Sequence, residues 1–182
     1  MTDIKFLITK IIPPEDYQHR NGFGNEHIID SLSENEKHEV EQELIRLLKT
    51  SSDSLIAETL AYLKSKDSLP ILKAKLNTAV NPIDRIYLAK SIFKINKDDL
   101  KMKDIAFEEF QKIKGEFNLI GVFHLVIHFQ DERINSILKN FVDDRRYLVA
   151  YNARICLGMD TNELIEREQL KRFSKKPWWK FW

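Results

Sequence analysis

Residues 52–67 read SDSLIAETLAYLKSKD, and their outline returns three times, as IDRIYLAKSIFKINKDD at 83–99, NLIGVFHLVIHFQD at 118–131 and YLVAYNARICLGMD at 147–160. Superposing Ala57, Ala89, Gly121 and Ala150 brings Ile56, Leu88, Ile120 and Val149 into line one residue earlier. Leu63, Ile95, Ile127 and Cys156 then align six residues later, and Asp67, Asp99, Asp131 and Asp160 ten later. The recurrence is 32, 32 and 29 residues. Offsets of minus one, zero, three and six fall on one side of an α-helix, so each segment predicts a helix with an apolar stripe. The small residue at offset zero marks a place where a neighbouring backbone can come close. The recurring aspartate falls where a following helix should start, and a carboxylate there accepts from free first-turn amides.

Working outward, partner helices separate the four segments. Ser33 and Glu36 form a capping box ahead of Val40, Leu44, Leu47 and Leu48, predicting a helix over about 34–50. SLPILKAKLNTA, LKMKDIAFEEFQKI, ERINSILKNFV and TNELIEREQLKRF supply the other partners. At the N-terminus Ile4, Leu7, Ile8 and Ile11 have helical spacing and Pro13-Pro14 stops the run, although Ile4, Phe6 and Ile8 also alternate as a strand would. EDYQHRNGFGN, residues 15–25, reads as the longest irregular segment.

Pro70 near the start of one helix, a short turn, and a second helix of form I-A-x-x-L-A-x-L at 56–63 resemble HEAT-type repeats over roughly residues 34–174. The resemblance implies an all-α chain, a right-handed α-solenoid of about four HEAT-like hairpins with a short N-terminal segment and a C-terminal capping helix. HEAT repeats usually run to about 40 residues, and these are shorter. The expected organisation is one domain, 1–182, comprising an N-terminal helix and loop (1–33), the repeats (34–174) and a basic aromatic tail (175–182).

Composition agrees with stacked helices. The 182 residues include only 5 Gly and 5 Pro, which disfavours the many sharp reversals of an all-β fold. The single thiol, Cys156, rules out an internal disulfide, and its apolar neighbours suggest a small buried hydrophobe in a reducing cytoplasm. No apolar run reaches membrane-spanning length, and MTDIKFLITK lacks a signal peptide's order of regions. The net charge of +1 announces no nucleic-acid partner. It averages seven acids against Lys37 between Glu26 and Glu43, and six bases against Glu168 between Arg167 and Trp182.

Residues able to carry chemistry are few. NGFGN has neither the spacing nor the following Lys-Ser/Thr of a phosphate loop. His124 and His128, four apart, could hold a metal from one helical face, the basis of a metal-dependent hydrolase reading. The repeat alignment instead places His124 at the core edge, in line with Leu60, Ile92 and Ala153. Cys156 beside a histidine would be a nucleophile, but its register with Leu63, Ile95 and Ile127 marks it as packing. The pairs Asp98-Asp99, Glu108-Glu109 and Asp143-Asp144 are adjacent in sequence and do not face each other on a helix. HEAT-like DNA glycosylases carry groove aromatics beside an aspartate. Here Trp178, Trp179 and Trp182 all lie outside the repeats.

Offsets one and five point away from the apolar stripe: Glu58 and Tyr62, Lys90 and Lys94, Val122 and Val126, Tyr151 and Ile155. They form the expected partner-binding row, turning from charged to apolar along its length. Such an apolar stretch needs a cover, supplied by the KKPWWKFW tail folding back, by a partner protein, or by a membrane surface meeting the tail. With no catalytic set and no cofactor expected, the reading is a non-enzymatic, cytoplasmic protein-binding scaffold. It is similar at fold level to bacterial immunity proteins that neutralise a cognate toxin. The alternative is nucleic-acid binding or repair through Lys90, Lys94, Arg145, Arg146 and Arg154.

Overall fold

The structure, a computed structural model, describes residues 3–174, among which there is no strand. The expectations for the tail, including Trp178, Trp179 and Trp182, lie outside the described residues. The chain divides into two compact units, Met1–Ala106 and Phe107–Trp182.

In the first unit α1 is Ile4–Ile11, so the helical reading of the N-terminus holds over the strand-like one. The Asp3 carboxylate accepts from the Lys5 and Phe6 amides to start it. The stretch 15–25 is not simply a loop. It contains a turn of helix, α2 (Tyr17–Arg20), capped by Asp16, and leads into α3 (Glu26–Asp30). Side chains that a composition reading passes over order it. Arg20 donates to the Pro13 and Pro14 carbonyls at 2.9 and 3.1 Å and to Asp53 at 2.6 Å. Asn25, buried, donates to the Ile11 carbonyl at 3.0 Å and to Thr59 Oγ1 at 2.7 Å.

Next come α4 (Glu34–Leu48), α5 (Ser54–Tyr62), a 3-10 turn at Lys66–Ser68, α6 (Leu69–Thr78), α7 (Pro82–Ile95) and α8 (Lys101–Phe110), the last spanning the boundary between units. The predicted Ser33–Glu36 capping box is present. Pro70 and Pro82 stand in first turns, where a missing amide hydrogen costs nothing. Helix α4 packs on α5, α6 on α7, and α5 on α7, so two hairpins meet through their second helices. Val40, Leu44, Ile56, Leu60, Leu72, Ile86 and Ile92 fill the space between them.

The second unit holds α9 (Glu116–Val126), a 3-10 turn at Ile127–Phe129, α10 (Glu132–Lys139), α11 (Tyr147–Cys156) and α12 (Asn162–Ser174). The aspartate expectation holds at Asp131, which caps α10 by accepting from the Arg133 amide at 2.9 Å. At Asp67 it fails, because Ser65 caps that turn and Asp67 lies inside it. Helix α9 packs on α11, and α10 also meets α11.

One register is displaced. Gly121 is exposed and a Cβ added to it would meet nothing within 4 Å, so it is not the point of close approach expected of it. Val122, Phe123 and Val126 are each 0 % exposed and reproduce the buried offsets of Ile56, Ala57 and Leu60, or Val149, Ala150 and Ala153. Phe123 therefore stands in the place of Ala57, Ala89 and Ala150, at intervals of 32, 34 and 27 residues. A slip of two residues turns a helix by about 200°, so the faces exchange. Its cause is that α9 is apolar almost all round, and the pattern cannot name its own inner face. Phe123 names it instead, edge-on to Phe110 with ring centroids 5.9 Å apart and against Phe141 at 5.3 Å.

Candidate functional site

Four of the residues picked out by spacing converge in the first unit. Glu58 and Tyr62 lie one turn apart on α5, Lys90 and Lys94 one turn apart on α7, and the packing of α5 on α7 brings them face to face. Lys90 Nζ donates to Glu58 Oε1 at 2.7 Å. Lys94 Nζ sits 5.3 Å from the centre of the Tyr62 ring. The Tyr62 hydroxyl donates to both oxygens of Asp30 at 2.8 and 2.9 Å, which ties in α3. That bond, with burial and the charges of Asp30 and Glu26, holds the phenol above its ordinary pKa. Tyr87 extends the row: Lys90 lies 5.5 Å from its ring, and burial plus the Glu58 charge push its hydroxyl up as well. The six side chains thus present alternating charge and aromatic surface, each held by a neighbour.

Tyr87 also borders a cleft of about 230 Å³ at the N-terminal ends of α5 and α7. Its floor is Leu48, Ala57 and Leu88, and its rim carries Ser52, Ser54, Asp84 and Lys75. Lys75 Nζ is engaged with the Ser51 carbonyl at 2.8 Å. The sequence reading missed this cleft, since its residues come from four different helices and their joints.

The other half of the expected row belongs to the second unit and does not form the surface anticipated. Val122 and Val126 are buried in the core and are withdrawn as contact residues. Tyr151 and Ile155 remain on α11, Ile155 being 46 % exposed and Tyr151 stacking at 5.8 Å on Tyr147. His124 is exposed, because the slipped register carries it out of line with Leu60, Ile92 and Ala153. Both its ring nitrogens are engaged: Nε2 is 3.0 Å from Asn152 Oδ1 and Nδ1 is 3.6 Å from Cys156 Sγ. His128 falls in the 3-10 turn beyond α9, so the four-residue spacing no longer sets both imidazoles on one α-helical face. Among the described residues, no group of three or more His, Cys, Asp or Glu could hold a metal ion. Cys156 is half-buried, and burial raises its pKa.

No family model, curated protein or solved structure matches this chain. What it does must be argued from its own side chains.

Three of the five cations proposed for a phosphate-binding groove, Lys90, Arg146 and Arg154, are held in ion pairs. Lys90 pairs with Glu58 and Arg146 with Asp144. Arg154 donates to the Val142 carbonyl at 2.9 Å, to Asp143 at 2.7 Å and to the Asp160 carbonyl at 3.3 Å, stapling the joints before and after α11.

Among the described residues no helix is long and apolar enough to cross a membrane.

Proposed function

We propose that this chain is a non-enzymatic, HEAT-like protein-binding scaffold whose contact face is the row Asp30–Tyr62–Lys94 and Glu58–Lys90–Tyr87, together with the adjoining cleft. The observation that carries the reading is the mutual fixing of those six side chains across α3, α5 and α7. Tyrosine is among the residues enriched in the few side chains that carry most of the binding energy at protein interfaces. Side chains already held in one arrangement lose less entropy on association. In its most concrete form the reading is an immunity protein, cytoplasmic and right-handed in its stacking, that neutralises a cognate bacterial toxin. The acid-rich 26–43 segment supports a basic partner, because opposite charge speeds encounter.

Co-expression with the products of neighbouring genes tests this reading, with growth and co-purification as readouts. A toxic neighbour should be neutralised by the wild-type chain, and Tyr62→Ala or Lys94→Glu should weaken the complex about ten-fold or more. Leu170→Ser, at an exposed position of α12, should not. Absence of any neutralised neighbour removes the immunity form. A complex indifferent to Tyr62 and Lys94 removes the contact face. Nucleic-acid binding is supported less, given the ion pairs made by Lys90, Arg146 and Arg154, and would show as affinity that falls steeply with salt.

A further inference from the structure

The contacts of His124 fix more than its position. Asn152 Nδ2 donates to the Leu148 carbonyl one turn back at 2.8 Å, which leaves Oδ1 as the oxygen facing the imidazole. Oδ1 can only accept, so the ring nitrogen 3.0 Å away, Nε2, is the one that carries hydrogen. In the neutral ring Nδ1 is then the bare nitrogen, and it is this atom that lies 3.6 Å from Cys156 Sγ. A nucleophile, a base in the right tautomer and an amide that sets the tautomer therefore stand in line, the arrangement by which a neutral thiol is activated. Cys156 is the last residue of α11, where the negative end of the helix dipole disfavours a thiolate. The resting pair is consequently S–H···N, with the proton moving only as sulfur attacks.

The surroundings indicate the electrophile. Leu148 and Ile155 on α11 and Met159 just beyond it are 42 %, 46 % and 44 % exposed, and helical spacing sets Leu148 and Ile155 about a quarter-turn round α11 from Cys156, an exposed apolar strip on that flank. We propose that Cys156 is a site of S-acylation by long-chain acyl thioesters, with His124 as the base and Asn152 as the residue that positions it. The thiol proton passes to His124 Nδ1 as Sγ bonds to the acyl carbonyl carbon. The carbon–sulfur bond of the donor breaks, and the departing thiolate takes the proton from Nδ1, giving an acyl-Cys156 thioester and a free thiol. Donor and product are both thioesters, so neither oxidant nor metal is required. The acyl chain lies along Leu148, Ile155 and Met159.

The test incubates the full chain with palmitoyl-coenzyme A or acetyl-coenzyme A at neutral pH and follows intact mass. One palmitoyl adduct is expected, released by neutral hydroxylamine and absent in Cys156→Ser, with acetyl transfer several-fold slower. His124→Gln should slow it about ten-fold or more, and the gap should close at a pH above the thiol's own titration, where no base is needed. Asn152→Ala should slow it while Asn152→Asp, which keeps the accepting oxygen, restores it. Circular dichroism confirms that each variant is folded, and the Asn152 pair decides the matter if His124→Gln is not. No adduct, an equal rate without His124 or without an accepting oxygen at 152, or equal rates for the two donors would overturn the proposal.

Discussion

Asn25 joins the two parts of the first unit that sequence patterning handles worst. It is buried, it closes the end of α1 through the Ile11 carbonyl, and it meets Thr59, which itself donates to the Leu55 carbonyl at 2.7 Å. Asn25→Ala strands the Ile11 acceptor, and the expected loss is about 1–3 kcal/mol in urea unfolding. Arg20 works beside it, its guanidinium and the Asp53 carboxylate both largely shielded from water. Arg20→Ala leaves Asp53 unpaired near the start of α5, and a loss of about 2 kcal/mol is expected, below the range for fully buried pairs. The Asp144–Arg146 pair gives a pH signature. The hydrogen bond from Arg146 holds the Asp144 carboxyl below its ordinary value of 3.8, with partial burial opposing it. Its contribution is present above about pH 4 and is lost as the pH falls through the lower folded-state value. Asp144→Asn should therefore flatten the acid limb of the stability–pH curve measured by denaturant unfolding.

At the scale of the element, α9 is where reading and structure part. Helices α4, α5, α7 and α11 were legible because polar residues outline their apolar stripes, and the Ser33–Glu36 box even located one start. In α9 the run from Leu119 to Ile127 is interrupted only by Gly121 and His124, so alignment to the other helices rested on size at one position and chose the wrong one. The same slip explains the mistaken exposure of Val122 and Val126 and the mistaken burial of His124. The row on α5 and α7 was legible in its members but not in its bonding, since Asp30 and Tyr87 enter from outside the spacing rule. Two variants separate the registers. Gly121→Ala, exposed and mid-helix, should stabilise the protein by about 0.5–1 kcal/mol, where a close-approach glycine would lose stability. Phe123→Ala should cost about 3–5 kcal/mol, both read from the urea midpoint.

At the scale of the whole molecule, charge is balanced while its distribution is not. The near-zero total gives a sequence pI of about 7.8, and a turbidity scan should find minimum solubility near that pH, since a protein without net charge repels itself least. The intervals of 32, 34 and 27 residues between Ala57, Ala89, Phe123 and Ala150 bear on how such a chain can be altered. Three of these positions carry a methyl group and the fourth a benzyl ring, so the four segments are not interchangeable parts. A copy of 52–67 spliced in place of 118–131 would set alanine against Phe110 and Phe141 and leave a cavity the size of an aromatic ring. Lengthening or shortening this chain by whole segments would need the junction at α9 redesigned with its neighbours, even though the other three segments keep one register.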